Sequence, residues 1–89
     1  MQIIKRNGNT TIYDDQKIIS SIMKANAESK EIKKITEKEA ASIAFDAMAV
    51  LTEKNEIITT KEIRESVYQT LCGRGLKETA KTYYEYQKT

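Results

Sequence analysis

Apolar positions along this chain follow two different periods, and the change between them divides it into elements. Ile3-Ile4, the turn-forming run Lys5-Arg6-Asn7-Gly8-Asn9, and Thr10-Thr11-Ile12 form an extended pattern. Asn7-Gly8 is a strong two-residue hairpin signal, because a type I′ turn needs positive φ at both central residues. A hairpin closed there sets Ile12 opposite Ile3, with Ile3, Ile12 and Lys5 on one face and Ile4 and Arg6 on the other. Beyond Asp14 the spacing changes to three and four. Ile18, Ile19, Ile22, Met23 and Ala25 or Asn26 predict a first helix from about Asp15 to about Ala27. Asp14 is its expected N-cap, with Tyr13 and Ile18 as a hydrophobic staple.

Residues 28–34 are polar and basic, with Lys30, Lys33 and Lys34 around a lone Ile32, and read as a solvated connection. Thr36-Glu37-Lys38-Glu39 is a capping box that opens a second helix. Ala40, Ile43, Ala44, Ala47, Met48 and Leu51 carry that helix to about Glu53, and its small residues let neighbours approach closely. Asn55 marks a turn, and Ile57-Ile58 is β-branched and suits a short third strand. A third helix opens with Thr59 and Glu62 as a capping box, or with Thr60 as the cap itself, and continues through Ile63, Val67 and Leu71. Gly73 and Gly75 end it. A last helix carries Leu76, Ala80, Tyr83, Tyr84 and Tyr86. The expected class is α+β: a four-helix bundle capped by a small sheet, made of the N-terminal β-hairpin and a short third strand.

With 89 residues, 39% of them hydrophobic and 31% charged, the chain has room for one domain and one modest core. Histidine is absent and cysteine occurs once. The commonest general base and a cysteine-rich zinc site are thereby excluded, and the expectation is a domain without catalysis or metal. No stretch is long or apolar enough to span a bilayer and no signal peptide is apparent, so the expected compartment is the cytoplasm. The net charge of +2 is too small to imply nucleic acid, so any role for positive charge must come from local clustering.

Three clusters meet that condition. Ile3 and Lys5 combine an apolar floor with a cation two positions along, an arrangement that suits a base at one end and a phosphate at the other. Lys17 lies in the first turn of the first helix, where free N–H groups and a lysine make an anion site. Thr60 and Arg64 stand one helical turn apart and can face the same anion. Cys72 reads as a small hydrophobe. Tyr83, Tyr84 and Tyr86 read as amphipathic core residues or, alternatively, as a stacking platform for bases.

Lys5-Arg6-Asn7-Gly8, Tyr13-Asp14 with Lys17-Ile18, Thr60 with Glu62-Ile63, and Ala80 with Tyr83 and Tyr86 together resemble the ATP-cone domain, over essentially the whole chain. That module regulates the large subunit of many ribonucleotide reductases and occurs in a bacterial repressor of reductase genes. The resemblance implies a single regulatory domain over residues 1–89, without catalytic residues of its own. It also implies ATP or dATP as effector, with or without magnesium, controlling the activity or oligomerisation of the enzyme to which the domain is attached. By position it implies Ile3 and Ile18 around the adenine, Lys5, Arg6, Lys17 and Thr60 on the triphosphate, and Arg64 facing the nucleotide. Gly75-Leu76, Ala80 and Tyr83 are similar to the ending in the anaerobic ribonucleoside-triphosphate reductases. The chain accordingly reads as the N-terminal fragment of such an enzyme, with the rest of the large subunit and a second copy as expected partners. The alternatives are a small nucleic-acid-binding regulator, which needs Lys5, Arg6, Arg64, Arg74, Lys81 and Lys88 on one face, and an interaction domain that binds no nucleotide.

Overall fold

Four amphipathic helices carry the fold. The computed structural model describes residues 2–4, 10–12, 15–54 and 57–88, with side chains over 15–53 and 58–86. The Asn7-Gly8 turn, the cations Lys5 and Arg6, the Tyr13-Asp14 entry to the first helix and the Asn55 turn lie outside the described residues. The order of elements is β1 (Gln2–Ile4), β2 (Thr10–Ile12), α1 (Asp15–Glu28), α2 (Glu37–Lys54), β3 (Ile57–Thr59), α3 (Thr60–Gly73) and α4 (Lys77–Lys88).

The helical stripes expected from the spacing are the ones that meet. Ile18, Ile19, Ile22 and Ala25 of α1, Ala40, Ile43, Ala44, Ala47 and Met48 of α2, and Ile63, Val67 and Leu71 of α3 are all buried in one cluster. Ile35, Ile58, Leu76, Ala80 and Tyr83 complete it. The helices pack in a ring, each of α1 and α3 lying against both α2 and α4. The alanines of α2 permit close approach: the Ser66 hydroxyl of α3 donates to the Ala47 carbonyl at 2.7 Å. The Thr36 box forms, with the Glu39 N–H donating to the Thr36 hydroxyl at 3.1 Å. At the end of α3 the two glycines differ in role. Gly75 takes φ +80°, its N–H reaches the Cys72 carbonyl at 3.1 Å and the Leu76 N–H reaches the Leu71 carbonyl at 2.9 Å, while Gly73 is simply helical. This is a Schellman ending, in which only the position with positive φ requires glycine.

The α+β expectation needs correction. Among the residues whose side chains are described, 81% are helical. The strands exist only as segments of three residues each, too short to form a layer over the bundle. Their backbones pair in the order β2-β1-β3, and the substantial packing between strands and helices is that of β3 with α3, the helix it runs into. The fold is therefore a helical bundle with a narrow ribbon at one edge, not a bundle capped by a sheet.

The register also differs from expectation. Gln2, not Ile3, lies opposite Ile12, and Ile3 lies opposite Thr11. A slip of one residue exchanges the faces of a strand, so Ile12 and Ile3 are not cross-strand partners.

The connection between α1 and α2 is solvated at Lys30, Ile32, Lys33 and Lys34, as expected, and is also anchored, because its backbone supplies partners for a buried amide. Asn26 is 3% exposed. Its Nδ2 donates to the Lys33 carbonyl at 3.1 Å and to the Thr79 hydroxyl at 3.0 Å, and its Oδ1 accepts the Ile35 N–H at 3.0 Å. Glu31 then reaches across, its carboxylate accepting both the backbone N–H and the hydroxyl of Thr79 at 3.3 Å. Thr79 is the third residue of α4, and Leu76 before the helix has no side-chain oxygen to offer. Glu31 therefore caps α4 from a segment more than forty residues earlier in the chain, the separation being 48 positions.

Candidate functional site

The parallel pairing of β1 with β3 sets the geometry of the predicted site. Ile4 lies level with Thr59 and Ile3 with Ile58, so β1 ends beside the start of α3. Thr59, extended at φ −87° and ψ 156°, is the N-cap of that helix. The Glu62 N–H donates to its hydroxyl at 3.1 Å and its own N–H donates to the Glu62 carboxylate at 3.2 Å. Of the two threonines that the sequence leaves open as the cap, Thr59 takes the role. Thr60 is the first helical residue and is exposed, beside an exposed Lys61. A helix start of this kind carries partial positive charge and outward N–H groups, which favours an anion.

One turn further on, Arg64 is half-buried. Its guanidinium carbon lies 5.1 Å from the centroid of the Tyr84 ring of α4, and Tyr84 in turn meets Tyr68 edge to face at 5.3 Å and 68°. Thr60, Arg64, Tyr68 and Cys72 recur at intervals of four and so form one stripe along α3. The charge of Cys72, then a hydrogen bond to it, raises the Tyr68 phenol above its ordinary value. Burial pushes the Tyr83 phenol up to about 12, while the nearby Arg64 charge acts to lower it. Tyr86, which remains exposed, donates to the Glu28 carboxylate and has Lys24 Nζ 5.5 Å from its ring centroid.

Of the other predicted residues, Lys17 is exposed in the first turn of α1, and Ile18, 9% exposed, belongs to the core. β2 runs antiparallel to β1, with Ile12 level with Gln2. The described backbone thus brings Ile3, Thr60 and Arg64 into one neighbourhood. Lys17 lies at the start of α1, and Lys5 and Arg6 fall outside the described residues. The sequence reading missed Tyr84 and Tyr68 as the surroundings of Arg64. The signal that reveals them is the four-residue stripe on α3, read together with an aromatic at position 84.

Of two surface depressions, the first borders the Tyr68–Tyr84 pair and the second lies elsewhere on the bundle. One of about 470 Å³ is lined by Glu65, Tyr68, Gln69, Lys81, Tyr84 and Glu85, and one of about 650 Å³ runs between α1 and α2 beside Phe45 and Met48. Among the described residues there is no group of acidic, cysteine or histidine side chains able to hold a metal, and no helix long and apolar enough to cross a membrane.

The candidate groups of this helical bundle are cations and a threonine at helix starts, an arrangement that suits an anionic ligand. Comparison with protein families matches residues 1–89 to the ATP cone domain, and the chain belongs to that family. Domains of this family are nucleotide-binding allosteric regulators that take ATP or dATP as effector and have no catalytic role. No curated protein matches the chain closely enough to count as a relative.

Proposed function

We propose that this domain senses ATP against dATP at the junction of β1 with α3, and through it sets the activity or oligomeric state of a ribonucleotide reductase. Residues 1–89 act as one regulatory domain. The reductase is of the anaerobic ribonucleoside-triphosphate kind and works in the cytoplasm, with the rest of its large subunit as the partner. Lys5, Arg6, Lys17 and Thr60 hold the triphosphate, with magnesium as counter-ion. Arg64 faces it, and Ile3 and Ile18 border the adenine.

The observation that carries the reading is the pairing of Ile4 with Thr59. Lys5 and Arg6 follow Ile4 in the chain, and Thr60 follows Thr59. The two segments expected to contact phosphate are therefore consecutive to one pair of hydrogen-bonded strands. A triphosphate there meets a helix dipole and several cations together, and charge-assisted hydrogen bonds are the strong ones. ATP and dATP differ at one hydroxyl, so the response depends on a differential affinity of the two assembly states, typically worth about 1–3 kcal/mol.

Thermal unfolding with and without nucleotide tests the reading. At a concentration near one hundred times Kd, a ligand that binds only the folded state stabilises it by about 2.7 kcal/mol. For a domain of this size that corresponds to a rise in Tm of roughly 10–20 °C. No shift with either nucleotide refutes nucleotide binding. Binding of DNA or RNA that collapses steeply with added salt, without a shift from ATP, favours the nucleic-acid alternative.

A further inference from the structure

We propose that Tyr84 is a positioning residue for the effector, holding the face of the Arg64 guanidinium so that its in-plane N–H groups are presented to a triphosphate at the start of α3; the proposal rests on the nucleotide-binding reading above. Thr60 and Arg64 are one turn apart on the same face of α3, about 6 Å along the axis. Long side chains on a helix lean toward its N-terminus, so Arg64 is directed toward the end at which β1 and α3 meet. An arginine in that position on an open surface samples many rotamers, and ordering it on a ligand costs entropy. Here the ordering is already made. The guanidinium carbon lies over the Tyr84 ring, 5.1 Å from its centroid, Tyr68 meets Tyr84 edge-on at 5.3 Å, and the Arg64 Nε is buried. The Arg64 charge also acts on the buried phenol of Tyr83, which places the cation beside two consecutive residues of α4. A ring engages a guanidinium through its flat face, where no N–H points, whereas a phosphate is bound by the N–H groups in its plane. The two uses are compatible, and the first prepares the second. Tyr84 therefore acts through Arg64 and need not touch the effector itself.

The test is a calorimetric titration of the 89-residue chain with ATP, in the wild type and in Tyr84→Leu, Tyr84→Phe, Arg64→Gln and the Arg64→Gln/Tyr84→Leu pair. Without the ring the fraction of chains with Arg64 in place falls, and the affinity falls with it. Tyr84→Leu therefore binds ATP about two- to fivefold more weakly, the factor carried by an exposed cation–π contact. Tyr84→Phe keeps the ring and the wild-type affinity. Arg64→Gln binds more weakly than either, and in that background Tyr84→Leu costs nothing further. In nuclear magnetic resonance spectra of the wild type, the Arg64 side-chain protons are shifted upfield by the ring and stay so at saturating ATP, while the guanidinium N–H resonances move. A contact that only ties α3 to α4 predicts instead that Tyr84→Leu lowers the Tm of the free chain and leaves its affinity for ATP unchanged, and that result overturns the proposal. So do equal losses with and without Arg64, wild-type affinity in Arg64→Gln, or Arg64 protons that lose their ring shift when ATP binds, and nucleotide binding itself survives each of these. A wild-type chain that takes up no ATP overturns both.

Discussion

Asn26→Ala removes the side chain that joins three segments at once, and the structure sets the size of the effect. The amide makes two donations, to the Lys33 carbonyl and the Thr79 hydroxyl, and accepts the Ile35 N–H, at 3.0–3.1 Å in a site 3% exposed. Each such bond contributes about 0.5–1.5 kcal/mol net, and a buried donor left unsatisfied adds about 1–3 kcal/mol. The Thr79 hydroxyl keeps Glu31 and therefore is not stranded, whereas the Ile35 N–H loses its partner. The expected loss is thus about 3–4 kcal/mol, a large fraction of the roughly 5–15 kcal/mol of a typical domain. Urea unfolding followed by circular dichroism measures it, with Thr79→Val and the double variant completing a cycle. A loss below about 1 kcal/mol, or full additivity of the two substitutions, refutes the view that this amide anchors the connection to α4.

The remaining substitutions separate structural from ligand-binding roles. Glu31→Ala removes the cap that the α1–α2 connection lends to α4 and costs about 1 kcal/mol; amide exchange should quicken at the start of α4 and not in α3. Gly75→Ala, at φ +80°, destabilises by about 1–2 kcal/mol, while Gly73→Ala, which meets open space in a helix, is neutral or stabilising by about 0.5–1 kcal/mol. Burial holds the Tyr83 phenol near 12 against 10.0 in its unperturbed state, so the protonated form is favoured by folding. Its contribution is complete below pH 10 and is lost as pH rises toward 12, by about 2–3 kcal/mol, and in Tyr83→Phe that part of the alkaline slope disappears. Thr59→Ala should cost about 1 kcal/mol of stability through the lost capping box, whereas Thr60→Ala should leave stability unchanged and weaken ATP binding.

The sequence made the helices legible because each is marked twice, by a stripe at spacing three and four and by a cap or a glycine. Ile22, Ile43, Val67 and Leu71 are buried where that pattern puts them, and Thr36 caps α2 as its box implies. The fold class was misjudged because the length of a strand is not written in a β-branched pair such as Ile57-Ile58. The hairpin register slipped because a turn signal at Asn7-Gly8 fixes pairing only if the loop has two residues, and the observed partners are offset by one. The charges at residues 28–34 are solvated as the sequence implies, whereas the anchoring of that connection could not be read there, because it depends on the amide of Asn26 and on Thr79 of a distant helix. At the candidate site the periodicity brought out Thr60 with Arg64, and the parallel pairing of Ile4 with Thr59 could not be read from either segment alone. The ring over which Arg64 lies belongs to another helix, so the stripe on α3 alone does not reveal it.

The central claim is that a triphosphate is held where β1 meets the start of α3. Isothermal titration of the intact chain with ATP, alongside Lys5→Ala and Lys17→Ala, tests it most directly. The account predicts saturable binding in the wild type and a loss of about tenfold or more in each variant, the value of one charge-assisted hydrogen bond, with thermal stability preserved. Unchanged affinity in both variants, or no binding by the wild type, contradicts it.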